Sequence, residues 1–357
     1  MTTTLRQRCT HFLHGHGPDT QSPAKVLAML AEEAGDAQAD FYGKGALIAS
    51  FEAELATLLG KESALFLPSG TLAQPIALRI WADDRGRDTI ALHATSHLEL
   101  HEHRGYQRLY GLHGVPLANA VTPLTPADIE AVADPLAAVL LELPQRELGG
   151  VLPTWAELTE MAEIARNRGA AMHLDGARLW ESAPFYARSH AEICALFDSV
   201  YVSFYKGLGG IAGAALAGPA GFIKQARIWQ RRAGGNLISL YPYILSARHG
   251  LRTRLPRMAD YCCHARDIAA ALSTIEGIGV TPSPPHTNMF QLHLRGEAKA
   301  LTAATHAVAE ETGVWLLGSL REAATPGVVW TEVSIGDAGL ALSAERVAML
   351  MRRVVAR

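Results

Sequence analysis

Two charged residues follow apolar, strand-like runs and could act together. Asp175 lies in "MHLDGARLW" (172–180), and Lys206 follows "SVYVSFY" 31 residues later. A lysine amine can bond covalently to a carbonyl compound, and a buried carboxylate needs a cationic partner. Two partners are open to Asp175: the nearby Arg178, or a protonated ring nitrogen that would leave Arg178 for a substrate anion.

A third candidate is the turn in "FLPSGTLAQ" (66–74), where Ser69, Gly70 and Thr71 open a helix-like segment. Free N–H groups at a helix start favour a phosphate, although Ser and Thr are also common as simple helix caps. An anion site, a strand-end carboxylate and a strand-end lysine, in this order, meet the needs of pyridoxal phosphate (PLP). The glycines after Lys206 would then let the chain turn away from the amine.

Short strand-like runs alternate with helical patterns through the first two-thirds of the chain. The strand-like runs are "SALFLPSG", "DTIALHA", "AAVLLELP", "AAMHLDG" and "SVYVSF", and three of them precede helix-like segments at 71–82, 96–111 and 155–169. This alternation predicts an α/β fold with a parallel sheet covered by helices. Ligands in such sheets bind at the carboxyl ends of the strands.

The pattern changes from about Ile244 onward. A long helical stretch interrupted at Pro256 is followed by a Pro-rich loop, "TPSPPH", and by a charged helix at the end of the chain. We therefore predict a large domain over 1–248, whose first ~20 residues form an arm, and a smaller α+β domain over 249–357.

Composition limits the possible classes of protein. The 357 residues are 49% hydrophobic and carry a formal net charge of −3, which is typical of a compact protein and unlike a nucleic-acid-binding one. The four cysteines form no C-x-x-C motif, which favours a reducing cytoplasm. No signal peptide and no stretch of about 18 apolar residues is seen, so we expect no membrane association.

Five ordered motifs resemble the threonine aldolase and β-eliminating lyase family of PLP enzymes. They are the Y-G segment and P-[ST]-G-T turn in "FYGKGALIASFEAELATLLGKESALFLPSGT", "SHLELHEHRG", "LELPQRELGGVLP", "HLDGARLW" and "YKGLGG". The resemblance implies the PLP-dependent transferase-like fold (fold type I), with a mostly parallel seven-stranded sheet between helices. It also implies a homo-oligomer, a dimer or a homotetramer, with sites near subunit interfaces.

The same resemblance implies roles for individual residues. Lys206 would bond to the cofactor and act in catalysis, and Asp175 would bind the pyridine nitrogen. His97 would stack on the ring, and His97 or Glu102 would supply the catalytic base. Arg178 would bind the substrate carboxylate. The remaining contacts are Ser69, Gly70, Thr71 and Ser203 to the cofactor, and Tyr42 and Tyr205 to the substrate.

A metal site is the alternative use of the histidines. His93, His97 and His101 recur every four residues, which on one helix would place them on one face. However, "DTIALHA" is typical of a strand that ends near His93 and breaks this helical spacing. We therefore expect no metal.

The chain departs from the family at several substrate contacts. The family's carboxyl-terminal arginine, a second carboxylate ligand, aligns with Val328–Val333 and is absent, and the serine before the lysine is Tyr205. Arg321 and Lys44 are the candidates to replace that arginine.

The predicted activity is a PLP-dependent aldehyde lyase that cleaves a β-hydroxy α-amino acid to glycine and an aldehyde. One alternative is β-elimination or other Cα chemistry on a different amino acid. Another is a PLP-binding homologue without catalysis.

Overall fold

The protein folds as two compact units in a computed structural model that describes residues 4–356 apart from the Gln21 side chain. The larger unit comprises Leu30–Glu147 and Leu152–Leu255, and the smaller comprises Met1–Met29, Leu148–Val151 and Pro256–Arg357. The sequence-based boundary lies at 248/249 and counts the amino-terminal arm with the large domain, whereas here the arm belongs to the smaller unit.

A seven-stranded sheet forms the centre of the larger unit. Its spatial order is β2-β8-β7-β6-β5-β3-β4. Every pairing is parallel except the two made by β8. The strands are β2 (Ser63–Leu67), β3 (Thr89–His93), β4 (His113–Leu117), β5 (Ala138–Glu142), β6 (Ala171–Gly176), β7 (Ser199–Ser203) and β8 (Ala214–Gly218).

Helices connect and cover these strands. They are α3 (Ala46–Leu58), α4 (Gly70–Arg85), α5 (His97–Leu100), α6 (Gly105–Tyr110), α7 (Pro126–Glu130), α8 (Trp155–Asn167), α9 (Ala183–Tyr186), α10 (His190–Cys194), α11 (Ala220–Arg232) and α12 (Tyr241–Thr253). Three 3-10 helices lie at Arg146–Leu148, Leu179–Glu181 and Leu255–Arg257, and α2 (Pro23–Ala34) runs in sequence from the smaller unit into the larger.

The alternation of side chains along β2 shows that both faces of the sheet are covered. Leu65 and Leu67 belong to the core cluster that includes Ile76 of α4, whereas the ring of Phe66 lies 5.7 Å from that of Phe51 in α3. Because neighbouring strand residues point to opposite faces, α3 and α4 pack on opposite sides. This arrangement confirms the predicted α/β fold, with a mostly parallel seven-stranded sheet between helices.

The smaller unit is an α+β structure. A four-stranded antiparallel sheet has the order β12-β13-β10-β9, and β1 pairs in parallel with β11. Its strands are β1 (His11–Phe12), β9 (Ile278–Thr281), β10 (Met289–Arg295), β11 (Val314–Trp315), β12 (Arg321–Glu322) and β13 (Val328–Ser334). Its helices are α1 (Leu5–Arg8), α13 (Met258–Leu272), α14 (Ala298–Thr312) and α15 (Ala344–Val355), with 3-10 helices at Pro18–Gln21 and Gly339–Ala341.

The helix predicted over 96–111 is wrong as a single element. It is two short helices, α5 and α6, separated by residues 101–104, where His103 and Arg104 adopt left-handed φ angles of 50° and 55°. No helix within residues 4–356 is long and apolar enough to cross a membrane.

Candidate active site

A small cavity of about 40 Å³ lies in the larger unit at the carboxyl ends of the central strands. It brings together seven of the predicted site residues: Thr71, His97, Glu102, Asp175, Arg178, Tyr205 and Lys206. Five further residues line it: Gln74, Glu142, Arg146, Ala177 and Tyr201. Sequence positions 71 to 206 therefore converge on one place, as the strand-end argument predicts.

The register of the sheet aligns three of these side chains. Glu142 of β5 pairs with Asp175 of β6, and Asp175 pairs with Tyr201 of β7. Paired residues on neighbouring strands point to the same face, so two carboxyl groups and a phenol lie side by side. Because this pairing is a long-range property, the order of residues along the chain does not reveal it.

Asp175 is buried, and its carboxylate is held by neutral donors. Gln74 Nε2 donates to Oδ2 at 2.6 Å, and the Ala177 N–H donates to Oδ1 at 3.1 Å. Burial raises the pKa of Asp175, and the hydrogen bond from Gln74 opposes that rise. A cationic ligand beside Asp175 would favour its ionised form.

Glu142, which is half-buried, carries a second carboxyl group at this edge. Burial and the neighbouring Asp175 raise the pKa of Glu142 to about 8, while the Arg146 N–H, which donates to Oε1 at 3.2 Å, and the charge of Arg178 oppose the rise. Burial and the charge of Asp175 therefore both favour the neutral form of Glu142.

Lys206 follows the end of β7 by three residues and lines the cavity. Its Nζ lies 4.9 Å from the ring centre of Tyr205. The Tyr205 side chain in turn hydrogen bonds with Tyr201, whose pKa is raised well above the usual value by burial. The amine thus lies beside an aromatic ring, near the carboxyl end of β7.

Gly207 has a packing role that the sequence does not predict. A Cβ at this position would overlap the buried Glu181 carboxylate, and the Gly207 N–H donates a hydrogen bond to that group. Burial raises the pKa of Glu181 to about 7, and the charge of Arg178 opposes this rise. Gly207 therefore leaves room for an acid directly beside Lys206.

The start of α4 has the helix cap proposed for the S-G-T turn, and it lies next to two cavities. Ser69 caps the helix, since its hydroxyl accepts a hydrogen bond from the Leu72 N–H at 3.4 Å. Gly70 is required because a Cβ would overlap the Tyr201 hydroxyl. Thr71 lines both the small cavity and a neighbouring one of about 520 Å³, which Ser69, Trp229 and Arg232 also line.

His97 and Glu102 form a pair at the edge of the cavity. His97 Nδ1 lies 3.1 Å from Glu102 Oε1, and the Glu102 side chain is only 3% exposed. His93 is separate and buried, with its ring nitrogens hydrogen bonded to Thr95 Oγ1 and to the Thr122 carbonyl. In the part of the chain described, no three His, Cys, Asp or Glu side chains are grouped to hold a metal.

Ser203 and Tyr42, like Ser69 and Gly70 at the start of α4, do not line this cavity. Ser203 is buried in β7, and its carbonyl accepts a hydrogen bond from Trp180 Nε1 at 2.8 Å. Tyr42 is 45% exposed, and its N–H donates to the Ile238 carbonyl. Neither replacement proposed for the absent arginine lines it either: Lys44 is exposed, and Arg321 lies on β12 of the smaller unit.

Four lining residues with polar side chains were missed by the sequence analysis: Gln74, Glu142, Arg146 and Tyr201. Gln74 had a usable signal, because it lies one helical turn after Thr71 and so shares its face of α4. The other three stand in apolar or loop-like surroundings that look ordinary without knowledge of strand pairing.

The Beta-eliminating lyase family profile matches residues 18–296. The chain belongs to this family. Low-specificity L-threonine aldolase 1 of Arabidopsis thaliana is 27% identical over 84% of this chain and 86% of that protein. Family enzymes and their structural neighbours depend on PLP.

Two solved structures match almost the whole chain. One is a proposed L-allo-threonine aldolase from Listeria monocytogenes, 44% identical, with a TM-score of 0.93 over 99% of this chain and 97% of that one. The other is a proposed aromatic amino acid β-eliminating lyase/threonine aldolase from Exiguobacterium, 43% identical, with a TM-score of 0.94 over 99% and 98%. These matches confirm the resemblance seen in the five motifs and the fold that it implies.

Proposed function

We propose that this protein is a PLP-dependent lyase that cleaves a β-hydroxy α-amino acid to glycine and an aldehyde. The observation that carries the proposal is the convergence of Lys206, Asp175 and Arg178 on one cavity in a chain of this family. The L-allo-threonine aldolase assignment of the Listeria protein supports the same substrate class.

The donor set of the cavity suits PLP. Asp175 is a buried carboxylate whose donors are two neutral N–H groups, so a protonated pyridine nitrogen would give it the missing cationic partner. The start of α4 offers N–H groups and Thr71 to a phosphate, and Lys206 is the amine that would hold the cofactor. When bound, PLP accepts the electrons released as a bond at Cα breaks.

The remaining residues would position the substrate. Arg178 would bind the substrate carboxylate. This contact would orient the molecule and so determine which bond at Cα is broken. His97, held by Glu102, would stack on the ring and take the proton of the β-hydroxyl group directly or through a water. Tyr205 lies beside Lys206, where it would contact the substrate, and the exposed Tyr42 would act at the site of a neighbouring subunit.

β-Elimination is the second candidate. It is supported by the β-eliminating lyase assignment of the Exiguobacterium protein and by the absence of an arginine from β13, where the aldolase pattern has one. Loss of one charged contact would let a carboxylate rotate and present a different bond at Cα for cleavage.

A product assay separates the two reactions. The PLP-loaded protein is incubated with threonine, allo-threonine, phenylserine and serine, and glycine and aldehyde are quantified beside pyruvate and ammonia. The aldolase proposal predicts glycine and aldehyde in equal amounts from at least one substrate, with loss in Lys206→Ala. Ammonia and a keto acid without glycine would establish elimination instead.

The protein is further proposed to be a cytoplasmic homo-oligomer, a dimer or a tetramer. Exposed apolar side chains near the Tyr42–Ile238 contact support an interface, and they include Phe41, Tyr42, Leu237, Ile238 and Tyr241. Three of the four cysteines are buried and, within residues 4–356, none forms a disulfide, which suits a reducing compartment. Light scattering of the purified protein tests the assembly.

A further inference from the structure

Two guanidinium groups, not one, line the cavity. Arg178 is the anchor that the family motif indicates, and Arg146 comes from the 3-10 helix that follows β5. The Arg146 side chain is 24% exposed, so it is half-buried at the cavity but still reachable by a ligand. A planar carboxylate is a natural partner for such a fork of donors.

Contacts on both sides hold Arg146 in position. Its backbone N–H donates to Glu142 Oε1 at 3.2 Å, and its side-chain Nη1 donates to Glu147 Oε1 at 3.0 Å. The same Glu147 oxygen lies 2.9 Å from His101 Nε2. The ion pair with Glu147 restrains the Arg146 side chain, which therefore loses less conformational entropy when it binds a ligand.

Two acids lie close to Arg178. Its charge opposes the rise in the pKa of both Glu142 and Glu181, because it lies close to each carboxyl group. A substrate carboxylate held only by Arg178 would compete with these groups. Arg146 adds a second guanidinium to the cavity lining, so two cations instead of one would share the substrate carboxylate.

We propose that Arg146 binds the carboxylate of the amino acid substrate together with Arg178, in place of the arginine absent from Val328–Val333. This inference rests on the proposed PLP-dependent function and names the second anchor of that same site. Arg146, and not Lys44 or Arg321, would then supply the carboxylate contact of the absent arginine.

Paired ligands that differ in one group provide the test. Glycine and methylamine both present an amine to the PLP-loaded protein, but only glycine carries a carboxylate. Dissociation constants for both are measured from the visible absorbance of the holoenzyme for wild type, Arg146→Gln, Arg146→Lys and the matched exposed control Arg352→Gln in α15. Thermal unfolding of each variant checks that it is folded.

We expect Arg146→Gln to weaken glycine binding about 10- to 100-fold and to change methylamine binding less than about twofold. Arg146→Lys should bind glycine with an affinity between those of wild type and Arg146→Gln, because it keeps the charge but not the fork. Arg352→Gln should match wild type for both ligands. If Arg146→Gln does not fold, weaker binding of glycine but not of methylamine by Arg146→Lys supports the same conclusion.

Unchanged glycine binding in Arg146→Gln, or an equal loss for both ligands, would overturn the inference. Glycine binding does not require cleavage of any substrate. A protein that releases no glycine from any β-hydroxy amino acid would therefore contradict the proposed function while leaving this comparison of ligands valid.

Discussion

Gln74 Nε2 donates a hydrogen bond of 2.6 Å to Oδ2 of Asp175, a contact that joins the first turns of α4 to the carboxyl end of β6. Both residues are 2% exposed. The bond connects the element proposed to hold the cofactor phosphate with the carboxylate proposed to hold its ring, so it fixes the spacing between the two.

Gln74→Leu should weaken PLP binding by about 10- to 100-fold. The change removes a hydrogen bond to a charged group, worth roughly 1.5–3 kcal/mol, and further raises the pKa of Asp175. Fluorescence titration of the apoprotein with PLP measures the effect. Gln225→Leu is the matched control, because Gln225 donates to Asp84 in an exposed pair, and its PLP affinity should not change. Equal PLP affinity in wild type and Gln74→Leu would show that Asp175 does not require the hydrogen bond from Gln74.

His97→Phe separates the two roles proposed for His97. A phenyl ring keeps the stacking surface but cannot take a proton, so PLP affinity should stay within about threefold while turnover falls at least about 100-fold. His97→Ala should lose both. Spectral titration and steady-state kinetics measure the two quantities, with the exposed His113→Phe as control. Full turnover in His97→Phe would assign the base to another group.

Gly207→Ala should destabilise the protein by about 1–3 kcal/mol and slow the reaction, since its Cβ would displace the buried Glu181 carboxylate beside Lys206. Gly221 provides the contrast, because it lies within α11 and a Cβ there meets no atom within 4 Å. Gly221→Ala should stabilise by up to about 1 kcal/mol. Thermal unfolding tests both, and similar melting temperatures for the two variants would contradict the packing argument.

His173 predicts a pH dependence of stability. It is fully buried with Nδ1 2.8 Å from Ser199 Oγ, and burial lowers its pKa to about 3. Between pH 6.5 and 3 the unfolded chain binds a proton that the folded state does not, so this residue destabilises the fold as pH falls. The stability advantage of wild type over His173→Gln should shrink by about 1.4 kcal/mol per pH unit below pH 6.

Urea unfolding at pH 7, 6 and 5 measures this difference, and the exposed His103→Gln serves as control. An advantage that stays constant with pH would mean that His173 titrates alike in both states.

The sequence allowed the strand-end residues to be predicted because apolar runs and motif residues are local. Asp175 and Lys206 follow such runs directly, and Thr71 opens an evident helix. The antiparallel strand β8 was missed because glycines obscure its apolar pattern. Glu142 was missed because only the register of β5 against β6 places it beside Asp175. The break at His103 and Arg104 depends on left-handed backbone angles that no residue type there requires.

The central claim is that Lys206 holds the cofactor, and chemical trapping tests it most directly. The chain has six lysines, and the PLP-loaded protein is reduced with borohydride, digested with trypsin and mapped by mass spectrometry. We predict one pyridoxyl-modified peptide, spanning residues 189–224, with cleavage after Lys206 blocked. Modification of a different lysine, or of none, would contradict the account.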